Sequence, residues 1–182
     1  MPVVDIVFLV GWVIFWIYWL VASVWAKAGQ TRWRQFGGLR VAILLIVLLL
    51  VRARLLKGHA VTTDSLLQGI GLAIFVLGLA VAVWARIYLG RNWGMPMSRK
   101  DEPQLVTSGP YRAVRHPIYS GIILAMTGTA IGVSLYWLVA VVLLAAYFCY
   151  SAVTEERYLA QQFPDAYPGY KRSTKMLIPF VL

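Results

Sequence analysis

Two short polar clusters, separated by a long apolar stretch, hold the side chains that could carry out chemistry. The first lies in residues 105–121, where His116-Pro117 fits the start of a helix because proline is favourable at the first helical position. The free backbone N–H groups at such a start attract an anionic ligand group, and Arg112 and Arg115 would strengthen that attraction. This cluster therefore predicts a binding site for a small anionic group. It also carries two aromatic faces, Tyr111 and Tyr119.

The second cluster is the adjacent pair Glu155-Glu156, which we place at the end of the last apolar segment. Two carboxylates at a helix C-terminus oppose the helix macrodipole, so a compensating group is expected nearby. The candidates are Arg112, Arg115, Lys171 or a bound cation. If the apolar stretch folds back on itself, His116 and Glu155 become neighbours although they are far apart along the chain. The alternative is that His116 is a structural hydrogen-bonding residue and that the arginines only signal topology.

Other chemistries lack the residues that they require. The one cysteine, Cys149, excludes a disulfide within the chain and a site built from several thiolates, and we expect it to be an inert apolar residue. No second histidine or cysteine lies at ligand spacing from His116, and His59 has no partner nearby, so no metal site is expected. The sequence contains neither a glycine-rich phosphate loop nor a serine nucleophile elbow.

The elements that must position these clusters follow from a very apolar composition. Of the 182 residues, 60% are hydrophobic and 13% are charged, whereas soluble domains are about 45–50% apolar and about 25% charged. This excludes a disordered chain, a collagen-like fibre and an ordinary cytosolic domain. The net charge of +10 does not indicate nucleic-acid binding, because the basic residues fall between long apolar runs. We therefore predict an integral membrane protein.

Four apolar runs predict five membrane-spanning helices, since one span needs about 20 mostly apolar residues. The runs are residues 3–26, 36–51, 65–89 and 117–153. The last run is long enough for two helices, and Gly132-Val133-Ser134 near its midpoint predicts a tight hairpin. In the third run, Gly71, Gly78 and Ala82 recur at helical spacing, which favours close contact between helices. The predicted fold class is thus an all-α integral membrane protein with a C-terminal tail.

The distribution of lysine and arginine predicts the orientation. Of the 17 basic residues, 14 fall in the first loop, the third loop and the tail from residue 154, and 3 fall in the second loop. By the positive-inside rule the N-terminus lies outside and the tail lies in the cytoplasm, as expected for a protein of the inner or plasma membrane. Four aromatic residues of the tail are expected to lie against the membrane: Tyr158, Phe163, Tyr167 and Tyr170.

Two runs of the first cluster resemble the signature of the isoprenylcysteine carboxyl methyltransferase family, part of a wider group that includes membrane phospholipid methyltransferases. They are Leu105-Val106-Thr107-Ser108-Gly109-Pro110-Tyr111 and Arg115-His116-Pro117-Ile118-Tyr119-Ser120-Gly121. The apolar hairpin, the glutamate pair and the Phe163–Arg172 tail follow in the family's order. The resemblance covers roughly residues 90–180. It implies a membrane methyltransferase that takes its methyl group from S-adenosyl-L-methionine (SAM) and passes it to a lipophilic acceptor.

Carried over position by position, the resemblance divides the chain into transmembrane helices 1–3, residues 1–89, and a SAM-binding catalytic region, residues 90–182. The catalytic residues would be His116, Arg115 and Glu155. A glutamate suits the amino group or ribose diol of SAM, the helix start suits its carboxylate, and Tyr111 or Tyr119 suits its sulfonium. The residues in contact with SAM would be Gln104, Leu105, Val106, Tyr111, His116, Pro117, Ile118, Tyr119 and Glu155 or Glu156.

The acceptor group is open between two chemistries. A carboxylate is already ionised at pH 7 and needs no base, whereas an amine must lose a proton, for which His116 or a glutamate would serve. Eukaryotic prenylcysteine methyltransferases carry a basic residue shortly before the glutamate pair, and residues 149–153 offer none here. We favour carboxyl O-methylation, with N-methylation of an amine or phospholipid headgroup as the nearest alternative. The rivals are an NADPH-binding membrane reductase and a non-catalytic membrane protein.

Overall fold

The computed structural model describes residues 3–25, 29–31, 62–93, 98–100 and 104–179. Within these residues the chain is mostly helical. The α-helices are α1 (Val3–Ser23), α2 (Ser65–Leu89), α3 (Pro117–Gly132), α4 (Leu138–Gln162) and α5 (Tyr167–Ser173). Two short strands, β1 (Gly29–Thr31) and β2 (Ser98–Lys100), pair in an antiparallel arrangement.

Three stretches of the described chain are long and apolar enough to cross a membrane: Val3–Ser23, Ser65–Asn92 and Leu135–Gln162. The helix α3 is also apolar but has 16 residues, fewer than the roughly 20 of a typical span. The helices α1 and α2 coincide with the first and third predicted runs. The second predicted run, residues 36–51, lies outside the described residues, and so does His59.

The helix α4 ends later than the sequence predicts. Its apolar run stops near residue 153, but the helix continues to Gln162. The pair Glu155-Glu156 therefore lies inside a helix, and the expectation of two carboxylates at a helix C-terminus is wrong. The reason is that residues 155–162 are mostly good helix formers, such as glutamate, leucine, alanine and glutamine. Within this extension Glu156 also pairs with Arg115 and Lys171 from other segments.

The helices α2 and α3 pack with their backbones in contact. A Cβ added at Gly121 would lie 2.6 Å from the backbone nitrogen of Ala82, and one added at Gly128 would lie 2.5 Å from the carbonyl oxygen of Gly71. Only the absence of a side chain permits these approaches, which confirms the close contact predicted from the small residues. The contact fixes α3, whose first turn carries the first polar cluster.

The helices α1 and α2 run in the same direction. Phe8 of α1 packs on Phe75 of α2 with ring centroids 4.9 Å apart, and Arg86 near the end of α2 donates a 2.6 Å hydrogen bond to the carbonyl oxygen of Ala22 near the end of α1. The strand pair β1–β2 joins the segments that follow these two helices. The C-terminal ends of α1 and α2 thus share one end of the helix bundle, called the site end below.

The segment after α5 returns to the start of α3. Its residue Lys175 forms a parallel bridge with Val114, and its carbonyl oxygen accepts a 2.7 Å hydrogen bond from the backbone nitrogen of Arg115. The next carbonyl oxygen, of Met176, accepts a 3.0 Å bond from the backbone nitrogen of His116. The last residues of the described chain therefore hold the first polar cluster in place.

Candidate functional site

A cavity of about 720 Å³ opens at the site end of the bundle. This volume lies within the range of roughly 300–1,000 Å³ found for pockets that bury small-molecule ligands. Of the residues that the resemblance assigns to SAM, all line this cavity except Pro117 and Glu156. Those that do are Gln104, Leu105, Val106, Tyr111, His116, Ile118, Tyr119 and Glu155.

The start of α3 is built as the sequence predicts. Pro117 occupies the first helical turn, His116 is the residue before it, and no side chain caps the first N–H groups. Both residues are buried. The imidazole of His116 lies between two carboxylates: its Nδ1 is 3.6 Å from Glu155 Oε2, and its Nε2 is 3.6 Å from Glu156 Oε1. The proximity of His116 and Glu155 that the sequence predicts is present.

Glu155 faces the cavity. Its side chain is 24% exposed, and its Oε1 accepts a 2.6 Å hydrogen bond from the hydroxyl of Tyr119. Tyr119 in turn lies between two parallel rings, with centroids 5.4 Å from His116 and 4.4 Å from Phe148. The carboxylate that lines the cavity is thus oriented by a hydroxyl on a ring that is itself held by stacking.

Glu156 points away from the cavity into a network of cations. Its side chain is only 6% exposed, with Oε1 2.6 Å from Arg115 Nε and Oε2 2.8 Å from Lys171 Nζ. Adjacent positions on a helix face directions about 100° apart, so one glutamate can line the cavity while its neighbour is paired behind it. Compensation by Arg115 and Lys171 is confirmed for Glu156, whereas Arg112 is exposed.

Arg115 connects the glutamate network to the tail. Its Nη1 donates hydrogen bonds to the carbonyl oxygens of Thr174 and Lys171, while its Nε contacts Glu156. Arg115 also lines the cavity, and it is the one lysine or arginine among the described lining residues. Its charge is therefore available to a ligand only as part of an ion pair that is already formed.

Three tyrosines at the site have raised pKa values. Burial raises the pKa of Tyr111 and of Tyr167 above the usual range, and it raises the pKa of Tyr170 to about 12. All three phenols are thus neutral near pH 7, where they can donate hydrogen bonds. The hydroxyl of Tyr170 does so at 2.8 Å to the carbonyl oxygen of Tyr111.

Two features of the cavity are not anticipated by the sequence prediction. Three of the four tail aromatics expected against the membrane, Tyr158, Tyr167 and Tyr170, line the cavity instead, and Tyr167 is fully buried, whereas Phe163 is not among the lining residues. Apolar residues outside both polar clusters also line it: Trp16, Trp19, Leu20, Leu89 and Trp93. Trp16 and Trp19 lie three residues apart on α1, and an apolar helix face does not by itself show which neighbour it meets.

Comparisons with known proteins match a region that contains both polar clusters. The model of a family described as phospholipid methyltransferase matches residues 67–166, from α2 to beyond the glutamate pair. A cobalt-zinc-cadmium resistance protein of Cupriavidus metallidurans is 33% identical over 143 residues, covering 77% of this chain and 63% of that protein. Protein-S-isoprenylcysteine O-methyltransferase B of Arabidopsis thaliana is 29% identical over 119 residues, covering 63% of this chain and 60% of that protein. A nickel-cobalt-cadmium resistance protein of Alcaligenes xylosoxydans is 29% identical, with 77% and 64% covered. The chain thus spans less than two thirds of the length of each of these relatives.

Proposed function

Because the chain belongs to the phospholipid methyltransferase family, we propose that it is an integral-membrane enzyme that transfers a methyl group from SAM to a lipophilic acceptor. The observation that carries this proposal is the convergence of His116, Tyr119 and Glu155 on one cavity at the site end. Protein-S-isoprenylcysteine O-methyltransferases of plants and of fission yeast are among its relatives. A carboxylate-bearing, lipid-like molecule is the acceptor that we favour.

The residues present fit SAM by their chemistry. Glu155 can accept hydrogen bonds from an amino group or a ribose diol, and the uncapped start of α3 with His116 can hold a carboxylate. The aromatic faces of Tyr111 and Tyr119 can contact a sulfonium, an attraction of about 0.5–2 kcal/mol. When bound, SAM supplies an electrophilic methyl group. The protein binds it, orients it and excludes water from it.

Methylation of a carboxylate acceptor requires no proton transfer by these residues. Such an acceptor is ionised at pH 7, since carboxyl groups titrate near pH 4. Arg115, the one cation among the described lining residues, would then attract the acceptor as well as pair with Glu156. Rate acceleration follows from alignment of acceptor and donor and from exclusion of water by the apolar lining.

One observation favours a second candidate, N-methylation of an amine or phospholipid headgroup. His116 Nδ1 lies 3.6 Å from Glu155 Oε2, so these two groups could accept and pass on the proton that an amine must lose. The matching family is itself described by phospholipid methylation. The two candidates share the donor site and differ in the need for this base.

We further propose the orientation in the membrane. The site end would face the cytoplasm and the N-terminus the outside, with five spans of which the last two, α3 and α4, form a hairpin. The second span, residues 36–51, lies outside the described residues. The orientation is supported by the distribution of lysine and arginine, and the parallel directions of α1 and α2 are consistent with a further span between them.

The test is titration of the purified protein, in detergent or nanodiscs, with SAM by calorimetry. Saturable heat is expected, and its absence with folded protein would overturn the proposal. Transfer of a radiolabelled methyl group to a total lipid extract would then identify the acceptor class. A methyl ester releases labelled methanol in mild base whereas an N-methyl group does not, so the same product separates the two candidates.

A further inference from the structure

A buried arginine outside both polar clusters takes no part in the proposed reaction. Arg86, near the end of α2, is 5% exposed. Its Nη1 donates a 2.6 Å hydrogen bond to the carbonyl oxygen of Gly90, and its Nη2 donates one of the same length to the carbonyl oxygen of Ala22 in α1. Its guanidinium lies 4.8 Å from the ring centroid of Trp93. Arg86 therefore connects the end of α1 to residues 90–93, which directly follow α2.

Among the described residues, the partners of Arg86 are two carbonyl groups and an aromatic ring rather than a carboxylate. Both carbonyl groups belong to the C-terminal ends of helices, α1 and α2, where a positive charge is favourable. Burial of a guanidinium is costly unless it is hydrogen-bonded, and its Nε has no hydrogen-bond partner among the described residues. The buried charge of Arg86 is best explained by its role in holding the end of α1 and Trp93 in fixed positions.

That geometry forms one wall of the cavity. The ring of Trp93 meets the ring of Trp19 edge to face, with centroids 5.7 Å apart and an angle of 90° between planes. Both rings line the cavity together with Trp16, one turn earlier on α1. We call these three residues the tryptophan wall. Arg86 contacts its Trp93 directly and holds the end of α1 that carries the other two.

The tryptophan wall is continuous with the surface that would face lipid. Trp16 is 50% exposed and Leu20 is 68% exposed, yet both line the cavity. The residues that the resemblance assigns to SAM lie elsewhere on the lining, in the loop before α3, in its first turn and at Glu155. The wall is therefore left for the other reactant, and an apolar chain could reach it from the bilayer.

We infer that Arg86 is a positioning residue which holds the tryptophan wall as the binding surface for the apolar chain of a lipid-like acceptor, an inference that rests on the proposed function. Lysine cannot replace it, because one ammonium group cannot bridge two carbonyl groups and lie flat over a ring. In Arg86→Lys the end of α1 and Trp93 lose their shared attachment. The wall is then disordered while the donor residues keep their contacts.

The experiment uses the full chain in nanodiscs and palmitic acid that carries a photoreactive diazirine at its methyl end. Labelling of the peptides with Trp19 and Trp93 is measured by mass spectrometry, relative to the lipid-facing α1 residues Val13 and Ile17. The variant Arg86→Lys should lower this ratio about tenfold, since the ammonium can keep only one of the two charge-assisted hydrogen bonds. The matched control is Arg91→Lys, an exposed arginine on the same stretch, which should leave the ratio unchanged.

Calorimetry with SAM on the same samples distinguishes a positioning role of Arg86 from a general loss of structure. Unchanged SAM affinity with reduced labelling supports the inference, because a general loss of structure would lower both. Equal labelling ratios in wild type and Arg86→Lys overturn it. Should Arg86→Lys not fold, Trp93→Leu tests the same wall and is expected to lower labelling at Trp19, and no change there would overturn it. Absence of SAM binding in wild type would refute the proposed function while leaving the labelling result readable.

Discussion

The hydroxyl of Tyr119 offers a sharp test of how the cavity carboxylate is oriented. The change Tyr119→Phe removes the donor of the 2.6 Å hydrogen bond to Glu155 Oε1. It leaves the ring that stacks between His116 and Phe148. Its effect on SAM binding therefore reports on the direction of the Glu155 carboxylate and not on the packing of α3 against α4.

The size of the effect follows from the contact. A hydrogen bond to a charged group contributes about 1.5–3 kcal/mol. Glu155 is partly exposed to water in the cavity, so the lower end of that range applies. Since about 1.4 kcal/mol corresponds to a tenfold change in a dissociation constant, Tyr119→Phe should weaken SAM binding about tenfold.

The assay is calorimetric titration with SAM for wild type, Tyr119→Phe, Glu155→Gln and the double variant. Residues that act as a unit give non-additive effects, so the double variant should be little weaker than Glu155→Gln alone. The control Tyr136→Phe alters an exposed tyrosine at the start of the stretch leading into α4, and it should bind SAM as wild type does. Wild-type affinity in Tyr119→Phe, or strictly additive effects, would refute the orienting role of this hydroxyl.

Three further outcomes are expected from the packing and charge of the site. Arg115→Met leaves the buried carboxylate of Glu156 without its closest cation and should cost about 3–5 kcal/mol of stability. Lys171→Met removes an exposed partner of the same carboxylate and should cost about 1 kcal/mol or less. Thermal unfolding in detergent measures both losses, and equal losses would contradict this ranking. Gly121→Leu should abolish folding or SAM binding, because a side chain there meets the backbone of α2, while Gly69→Leu, with nothing within 4 Å, should be tolerated. Burial raises the pKa of Tyr170 from 10.0 to about 12, so the folded state holds the phenol proton more tightly than the unfolded state does. The resulting stabilisation of the folded state is complete below pH 10 and is lost as the pH rises towards 12. The fall in Tm at alkaline pH should therefore be smaller in Tyr170→Phe than in wild type, and an identical fall would count against this explanation.

Local chemistry made much of this fold predictable. The helix α2 begins after Asp64, whose side chain accepts hydrogen bonds from the first-turn nitrogens, and it ends at Gly90, whose φ is 54°. These are helix start and stop signals that can be read from residue types alone. The start of α3 at Pro117 is of the same kind.

The parts of the fold and of the site that could not be predicted depend on contacts between distant segments of the chain. Which of Glu155 and Glu156 lines the cavity is set by the rotation of α4, and that rotation depends on Arg115 and Lys171 from two other segments. The contribution of α1 to the tryptophan wall could not be predicted, because an apolar helix face does not show which neighbour it packs against.

The pairing of the segment around Lys175 with the start of α3 has a consequence for how the protein folds. Backbone hydrogen bonds from Arg115 and His116 are satisfied only by carbonyl groups that the ribosome adds after α3 and α4 are complete. The start of α3 therefore cannot adopt its final arrangement until this late segment has been synthesised and has packed against it. Ligand binding at the proposed site would then report that the C-terminal segment is in place.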